Sequence, residues 1–136
     1  MKLQIFFIIL ACIVQMKCYA IGNYNEIGTI FRNLLQEYSS PDCTKYANDD
    51  EVYKSFPFEL DFHSSKRDAS ETYAVKNAHG NIIVLNINKQ EYVPPSVFCL
   101  TELRELYVHK TKFRTFDLGL PIAIERLAST LKHLTI

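Results

Sequence analysis

Residues 82–88 read Ile-Ile-Val-Leu-Asn-Ile-Asn, and residues 103–109 read Leu-Arg-Glu-Leu-Tyr-Val-His. In both, apolar side chains are spaced three and then two apart: Ile82, Leu85 and Ile87 in the first, Leu103, Leu106 and Val108 in the second. Leu131, Leu134 and Ile136 repeat the spacing once more. The first two registers lie 21 residues apart, a period that fits one short strand and one return segment per coil of a solenoid. The third register follows the second by 28 residues, and the extra length around Arg114 to Gly119 has the character of a local loop insertion.

Each register is followed by the same kind of return. Tyr92 and Phe113 are expected at the next inward position. Proline then opens a return segment at Pro94-Pro95 and again at Pro121. The apolar residues of the returns are Val97, Phe98 and Leu100 in one, and Ile122, Ile124 and Leu127 in the other.

Upstream the periodicity changes. Ile27, Ile30, Phe31, Leu34, Leu35 and Tyr38 form the stripe of an amphipathic helix. Asn25 is expected to cap it and Ser39-Ser40-Pro41 to stop it. Its polar face carries both signs, so the stripe is expected to face a core rather than a membrane or a partner helix. A second helical turn is predicted around Asp50 to Ser55, ended by Pro57, with the acidic run Asp49-Asp50-Glu51 complementing its dipole. Phe56, Phe58, Leu60 and Phe62 alternate with Pro57, Glu59 and Asp61, a period of two that predicts a strand or an extended segment packed on one side. Ser64 to Ser70 is a charged loop. Thr72 to Val75 is β-prone, and Asn77-Ala78-His79-Gly80-Asn81 forms a turn into the first register, with Gly80 tolerating positive φ.

The L-x-x-L-x-L registers, two of them followed by Pro-x-x-(apolar) returns, make the region from residue 77 onward resemble a leucine-rich repeat (LRR) protein of plant-like or bacterial-like repeat style. The hairpin adds to this, since Tyr73, Val75, Gly80 and Leu85 stand where plant-type LRR caps carry an aromatic, a valine, a turn glycine and the first repeat leucine. The cysteine pair usual in such caps is missing, only Cys43 lying upstream, so no cap disulfide carries over. Gln90 and Thr111 stand where the family usually has an asparagine that ties neighbouring turns. The resemblance implies an α/β fold, an LRR solenoid fragment with a short curved parallel sheet and a helical N-terminal cap. After a signal peptide at 1–20, it divides the chain into a helical and β cap at 21–76 and repeats at 77–136, about two complete and a third begun. It further implies that the pattern leucines point inward while the residues between them form a concave, solvent-facing surface, as the two-residue strand period and parallel stacking require.

Aligned on the repeat, that surface has columns. Ile83, Arg104 and Lys132 share one; Val84, Glu105 and His133 share the next; Asn86, Tyr107 and Thr135 make a third. Asn88 with His109, and Lys89 with Lys110, complete the outer edge. Asn86, Asn88, Arg104, Glu105, Tyr107, His109, Lys132, His133 and Thr135 are therefore the candidate protein-binding residues, with an aromatic anchor ringed by charges. The plain alternative is a solvated sheet face.

Charge and composition narrow the partners. Lys2 followed by the apolar run Ile5 to Val14 and by Cys18-Tyr19-Ala20 predicts a signal peptide cleaved before Ile21. The apolar run is too short to span a bilayer, for which about 20 residues are needed; an uncleaved anchor and a buried helix are the other readings. Loss of Met1 to Ala20 leaves 13 basic and 15 acidic residues, which argues against nucleic acid and does not favour an anionic membrane. The expected setting is secreted or cell-surface, with a protein partner and no membrane span beyond the signal. Cys43 and Cys99 remain; a disulfide closing a long loop is one reading, an exposed thiol and a half-buried apolar residue the other.

No catalytic, metal or cofactor site is expected. His63, His79, His109 and His133 lack metal-ligand spacing, Ser39-Ser40 lacks a nucleophile elbow, and no glycine-rich phosphate loop occurs. The chain stops on the last apolar position of the third register. That expectation is of a truncated product or an edge strand left open to a partner or to self-association. The main alternative function is a small secreted α+β effector with a compact leucine-rich core and no solenoid. In that case Leu131, Leu134 and Ile136 would pair antiparallel or lie in a helix.

Overall fold

The computed structural model describes residues 18–114 and 120–136, with side chains from Glu26 onward. Most of the expected signal peptide and most of the expected insertion at Arg114 to Gly119 lie outside the described residues. The chain divides into two compact units at Gln36/Glu37.

The first unit holds most of helix α1, Cys18–Ser39. The helix stops where Ser39-Ser40-Pro41 predicts, but it starts earlier than expected and runs through Asn25 and the expected cleavage point at Ala20-Ile21. Its two interior glycines, Gly22 and Gly28, cost only about 1 kcal/mol each and do not break it. No described helix is long and apolar enough to cross a membrane. Ile27 and Ile30 are exposed, so the expectation that the stripe faces a core fails at its N-terminal half. Only Tyr38, in the last turn and already in the second unit, is fully buried.

The second unit is a mixed α/β fold. Its five-stranded sheet has the order β1-β2-β3-β5-β7, with β1 Asp61–His63, β2 Tyr73–Lys76, β3 Ile82–Asn88, β5 Glu105–His109 and β7 His133–Thr135. β3, β5 and β7 run parallel, Leu85 beside Leu106 and Leu106 beside Leu134. The sheet is mixed rather than wholly parallel because β2 joins antiparallel to β3 through the hairpin and β1 adds parallel to β2. The hairpin turn is built by Asn77, whose carboxamide oxygen accepts from His79 N–H (2.9 Å) and Asn81 N–H (3.0 Å). Gly80 takes φ +82° there, a backbone region nearly closed to side-chain-bearing residues. The expected extended segment is a strand only at Asp61–His63, and burial alternates as predicted up to Asp61, with Phe56 buried, Phe58 and Leu60 half-buried, and Pro57, Glu59 and Asp61 exposed; it fails at Phe62, which is exposed.

Beyond the sheet, β4 Tyr92–Val93 pairs parallel with β6 Lys112–Phe113. The register here differs from expectation by one residue: Val93, not Tyr92, sits beside Phe113. Val93 is fully buried and Tyr92 half-exposed, with the Arg114 guanidinium 4.7 Å from its ring centre. A β-branched side chain that burial suits well takes the inward place, while tyrosine keeps its hydroxyl near water. The two returns are 3₁₀ segments, Pro95–Cys99 and Ile122–Leu127, and they pack on each other. Val97, Phe98, Leu100 and Leu127 point inward as predicted, but Ala123 replaces Ile122, which is 63% exposed. In a three-residue turn Ile124 shares a side with Leu127 and is half-buried, while the small side chain of Ala123 takes the buried place beside it.

The core consists of Ile82, Leu85, Ile87, Leu103, Leu106 and Val108 from the two registers together with the inward residues of the returns. Each such aliphatic contributes about 1.5–3 kcal/mol relative to exposure. The third register is less covered: Leu134 is 37% and Ile136 63% exposed.

Three devices tie the second unit together. A Cys43–Cys99 disulfide joins the 3₁₀ turn Cys43–Lys45 to the first return. Closing a loop of 56 residues' separation contributes on the order of 4 kcal/mol in the chain-entropy account. Tyr38 donates its hydroxyl to the Val93 carbonyl, and burial pushes its phenol up to about 12. Helix α2, Asp49–Lys54, is capped by Asn48, which accepts from Glu51 N–H at 3.0 Å. Asp49 lies in the first turn with Asp50 and Glu51, as expected, and has a second role there. It is buried, and its carboxylate accepts from the Ile82 N–H at 2.7 Å, fastening α2 to the start of β3.

Burial raises the Asp49 carboxyl above its ordinary range, only partly offset by the Ile82 hydrogen bond. A raised carboxyl binds its proton more tightly when folded, so its contribution to stability declines as pH rises through that group's titration. Asp49→Ala is expected to cost about 1–3 kcal/mol by stranding the Ile82 N–H. Asp49→Asn retains the acceptor oxygen, and its stability relative to wild type should improve as pH rises from below 4 to 7. Urea denaturation of both variants across that range checks this; a pH-independent difference for Asn contradicts it.

Candidate functional site

The outer face of the sheet is assembled by strand alternation. Residues two apart on a strand share a face, and the parallel register sets Val84 beside Glu105, Asn86 beside Tyr107 and Asn88 beside His109. Glu105 in turn stands beside His133, and Tyr107 beside Thr135. Arg104 and Lys132 lie one place ahead of these strands, linked by main-chain bonds: Arg104 N–H donates to Ile83 O (2.9 Å) and Lys132 N–H to Arg104 O (2.7 Å). Both side chains are exposed.

The edge of this face is held by two turn residues, Gln90 and Thr111. Gln90 N–H donates to Thr111 Oγ1 (3.0 Å), and Thr111 donates to the His109 carbonyl (2.9 Å). Lys89 and Lys110 precede them at matching places, both in the left-handed region with φ 53° and 49°.

At the β2 side the face is apolar. Tyr73, Val75 and Val84 form a buried cluster against which Ile83 and Tyr107 pack. From there the 64–72 segment crosses the sheet. Asn86 donates its amide to the carbonyls of Ala69 (3.1 Å) and Glu71, and Asn88 donates to Ser70 O (2.7 Å). Both asparagines are consequently buried. They serve as anchors for this strap and are withdrawn from the exposed surface that the alignment assigned to them. Thr72 completes the seam, accepting from Asn88 N–H at 3.0 Å and from Gln90 Nε2 at 3.1 Å. His63 lies at the same seam, its Nε2 3.4 Å from Glu71 Oε2 in ion-pair range without hydrogen-bond geometry.

The remaining candidates converge on Tyr107. Its hydroxyl donates to Glu105 Oε1 (2.8 Å). Its ring lies 6.4 Å from His109, nearly parallel, and 5.0 Å from His133, tilted by 37°. His133 Nε2 stands 3.2 Å from Thr135 Oγ1. Lys66, from the strap, reaches Glu105 Oε1 at 2.6 Å and sits 5.9 Å from the Tyr107 ring centre. Partial desolvation pushes the Glu105 carboxyl up, but hydrogen bonds from Lys66 and Tyr107 outweigh it and hold the group below its ordinary value. The same bond to Glu105 raises both Lys66 and the Tyr107 phenol. The half of the face carried by β5 and β7 thus presents an aromatic and two imidazoles beside a carboxylate.

Comparison with protein-family models, with curated proteins and with solved structures found no match.

Glu105, Tyr107, His109, His133 and Thr135 are brought together; Arg104 and Lys132 flank them; Asn86 and Asn88 lie under the strap. Lys66 was missed, because a lysine in a charged loop carries no local mark of a contact 39 residues away in sequence. Among the described residues no group of three histidines, cysteines or acids is placed to hold a metal ion.

Asn86→Ala is expected to release the strap, since two carbonyls then lose their donor at a cost of about 1–3 kcal/mol. Limited trypsin digestion should cut faster after Lys66 and Arg67 than in wild type. An unchanged rate at those bonds would show that the asparagine does not hold the segment down.

Proposed function

We propose that the chain is a secreted or cell-surface protein-recognition module built as a leucine-rich-repeat coil stack, and that it binds a protein ligand on the outer sheet face over β5 and β7. The role is one of binding rather than catalysis.

Three observations support the coil-stack part of this reading. β3, β5 and β7 pair parallel at the offsets that the leucine registers require, Leu85 to Leu106 and Leu106 to Leu134. Lys89 and Lys110 share an uncommon backbone conformation at matching positions. Gln90 N–H bonds to Thr111 where the family uses an asparagine. A compact α+β effector would call for antiparallel or helical placement of the third register, and Leu134 is parallel to Leu106. The disulfide is compatible with an oxidising compartment.

The observation that carries the binding reading is the packing of Tyr107 against His109 and His133 next to Glu105, on the strand that also carries the fully buried Leu106. Aromatic side chains held rigid by such neighbours are the kind that dominate interface energetics.

The test is a random-peptide display selection on the full chain, with recovered binders measured against variants. Tyr107→Ala should weaken them by about tenfold or more, as truncating an aromatic anchor does, whereas Glu125→Ala on the second return should not. Binders indifferent to Tyr107→Ala and His133→Ala, or a selection that yields none, would refute the face as a recognition surface.

A further inference from the structure

The strap already lies on the sheet in the manner of a peptide ligand. Its main-chain carbonyls at Ala69, Ser70 and Glu71 are gripped by the Asn86 and Asn88 amides. One of its basic side chains, Lys66, reaches ahead onto β5. There the ammonium donates to Glu105 Oε1 at 2.6 Å, stands 3.4 Å from the Tyr107 hydroxyl, and lies 5.9 Å from the Tyr107 ring centre. That is the full set of contacts by which proteins recognise a cationic side chain: a carboxylate, a hydroxyl and an aromatic face.

The strap nevertheless fills only part of the surface. Its carbonyls are held over β3, whereas His133 on β7 is exposed and Tyr107 and Thr135 are half-exposed. Lys66 itself is more than half exposed along its side chain. An ion pair that open to water adds little to stability and exchanges readily with solvent and with competing cations.

We propose that Glu105 and Tyr107 form a cation-recognition site which Lys66 fills in the free protein and an arginine of an extended peptide segment fills in the complex. The proposal rests on the reading of this face as a recognition surface and specifies the chemistry of its ligand. Exchange keeps Glu105 paired throughout, and the displaced Lys66 ammonium, already more than half exposed, returns to water. Arginine suits the site better than lysine. Its planar guanidinium can give Glu105 two parallel N–H bonds and stack against the Tyr107 and His133 rings, which stand 5.0 Å apart. An acidic segment is disfavoured, because it would set a second carboxylate against Glu105. Lys66 thereby acts as an internal competitor that sets a threshold for binding.

The experiment uses the full-length chain, isotopically labelled, and four acetylated, amidated pentapeptides, Ala-Ala-X-Ala-Ala with X as arginine, lysine, glutamine or glutamate. Amide chemical shifts of Glu105, Tyr107 and His133 are followed on titration. The arginine peptide should bind best and the glutamate peptide worst. Lys66→Gln should tighten the arginine peptide by about two- to fivefold, the size expected for removing one exposed competing ion pair. Glu105→Gln, which keeps the side chain's shape, should weaken it by about tenfold or more. If all four peptides move these amides alike, or if neither variant changes the arginine affinity, the cation site is refuted while the face survives as a peptide surface. If no peptide moves any amide of β5 or β7, the cation site and the recognition surface fail together.

Discussion

The structure depends on the parallel pairing of residues 82–88 with residues 103–109. Leu85 lies beside Leu106 and Ile87 beside Val108, which joins two aliphatic rows into one buried surface. Parallel strands cannot be linked by a tight turn and need a longer return. Here the return supplies its own buried side chains, Val97, Phe98 and Leu100, so the connection is also part of the core. The same register fixes the opposite face. Once Leu85 and Leu106 are aligned, Asn86 and Tyr107 must be aligned too, because a one-residue slip would turn every side chain over.

The other devices hold this pairing in place. Asp49 fastens α2 to the first amide of β3, the disulfide fastens the 3₁₀ turn at Cys43–Lys45 to the first return, and Tyr38 fastens the end of α1 to β4. Each makes a contact far apart in sequence, and each acts near an end of the sheet or on a return. The middle of β5 and β7 is left unburdened on its outer side, and there the aromatic and imidazole side chains gather. The strap extends the same logic. It covers β3 at Asn86 and Asn88 and reaches the margin of the open area with one lysine.

How far the fold was legible in the sequence follows from which interactions are periodic. The register offsets and the return segments are written as repeated spacings, and the hairpin turn at Asn77–Asn81 as a cluster of turn-forming residues, so all three are legible in the sequence. The helix stripe was legible as a helix but misleading as a burial signal, since the periodicity that forms Ile27 and Ile30 into one face does not say what lies opposite. Tyr92 and Ile122 were assigned inward places that Val93 and Ala123 take, each one residue away. Short 3₁₀ and two-residue strands have too few turns for a period to separate neighbouring positions. The columns of the outer face were legible for the same reason as the leucine rows. What could not be read was the occupant of those columns: the roles of Asp49, Asn86, Asn88 and Lys66 arise from single long-range contacts, with no spacing to announce them.

The pairing itself can be measured without a partner or an activity. Interstrand backbone nuclear Overhauser effects in the labelled chain should connect Val84, Asn86 and Asn88 with Glu105, Tyr107 and His109 in a parallel pattern, and Glu105 and Tyr107 with His133 and Thr135 in the same sense. An antiparallel pattern between these segments, or the absence of contacts between 82–88 and 103–109, would contradict the account from its foundation.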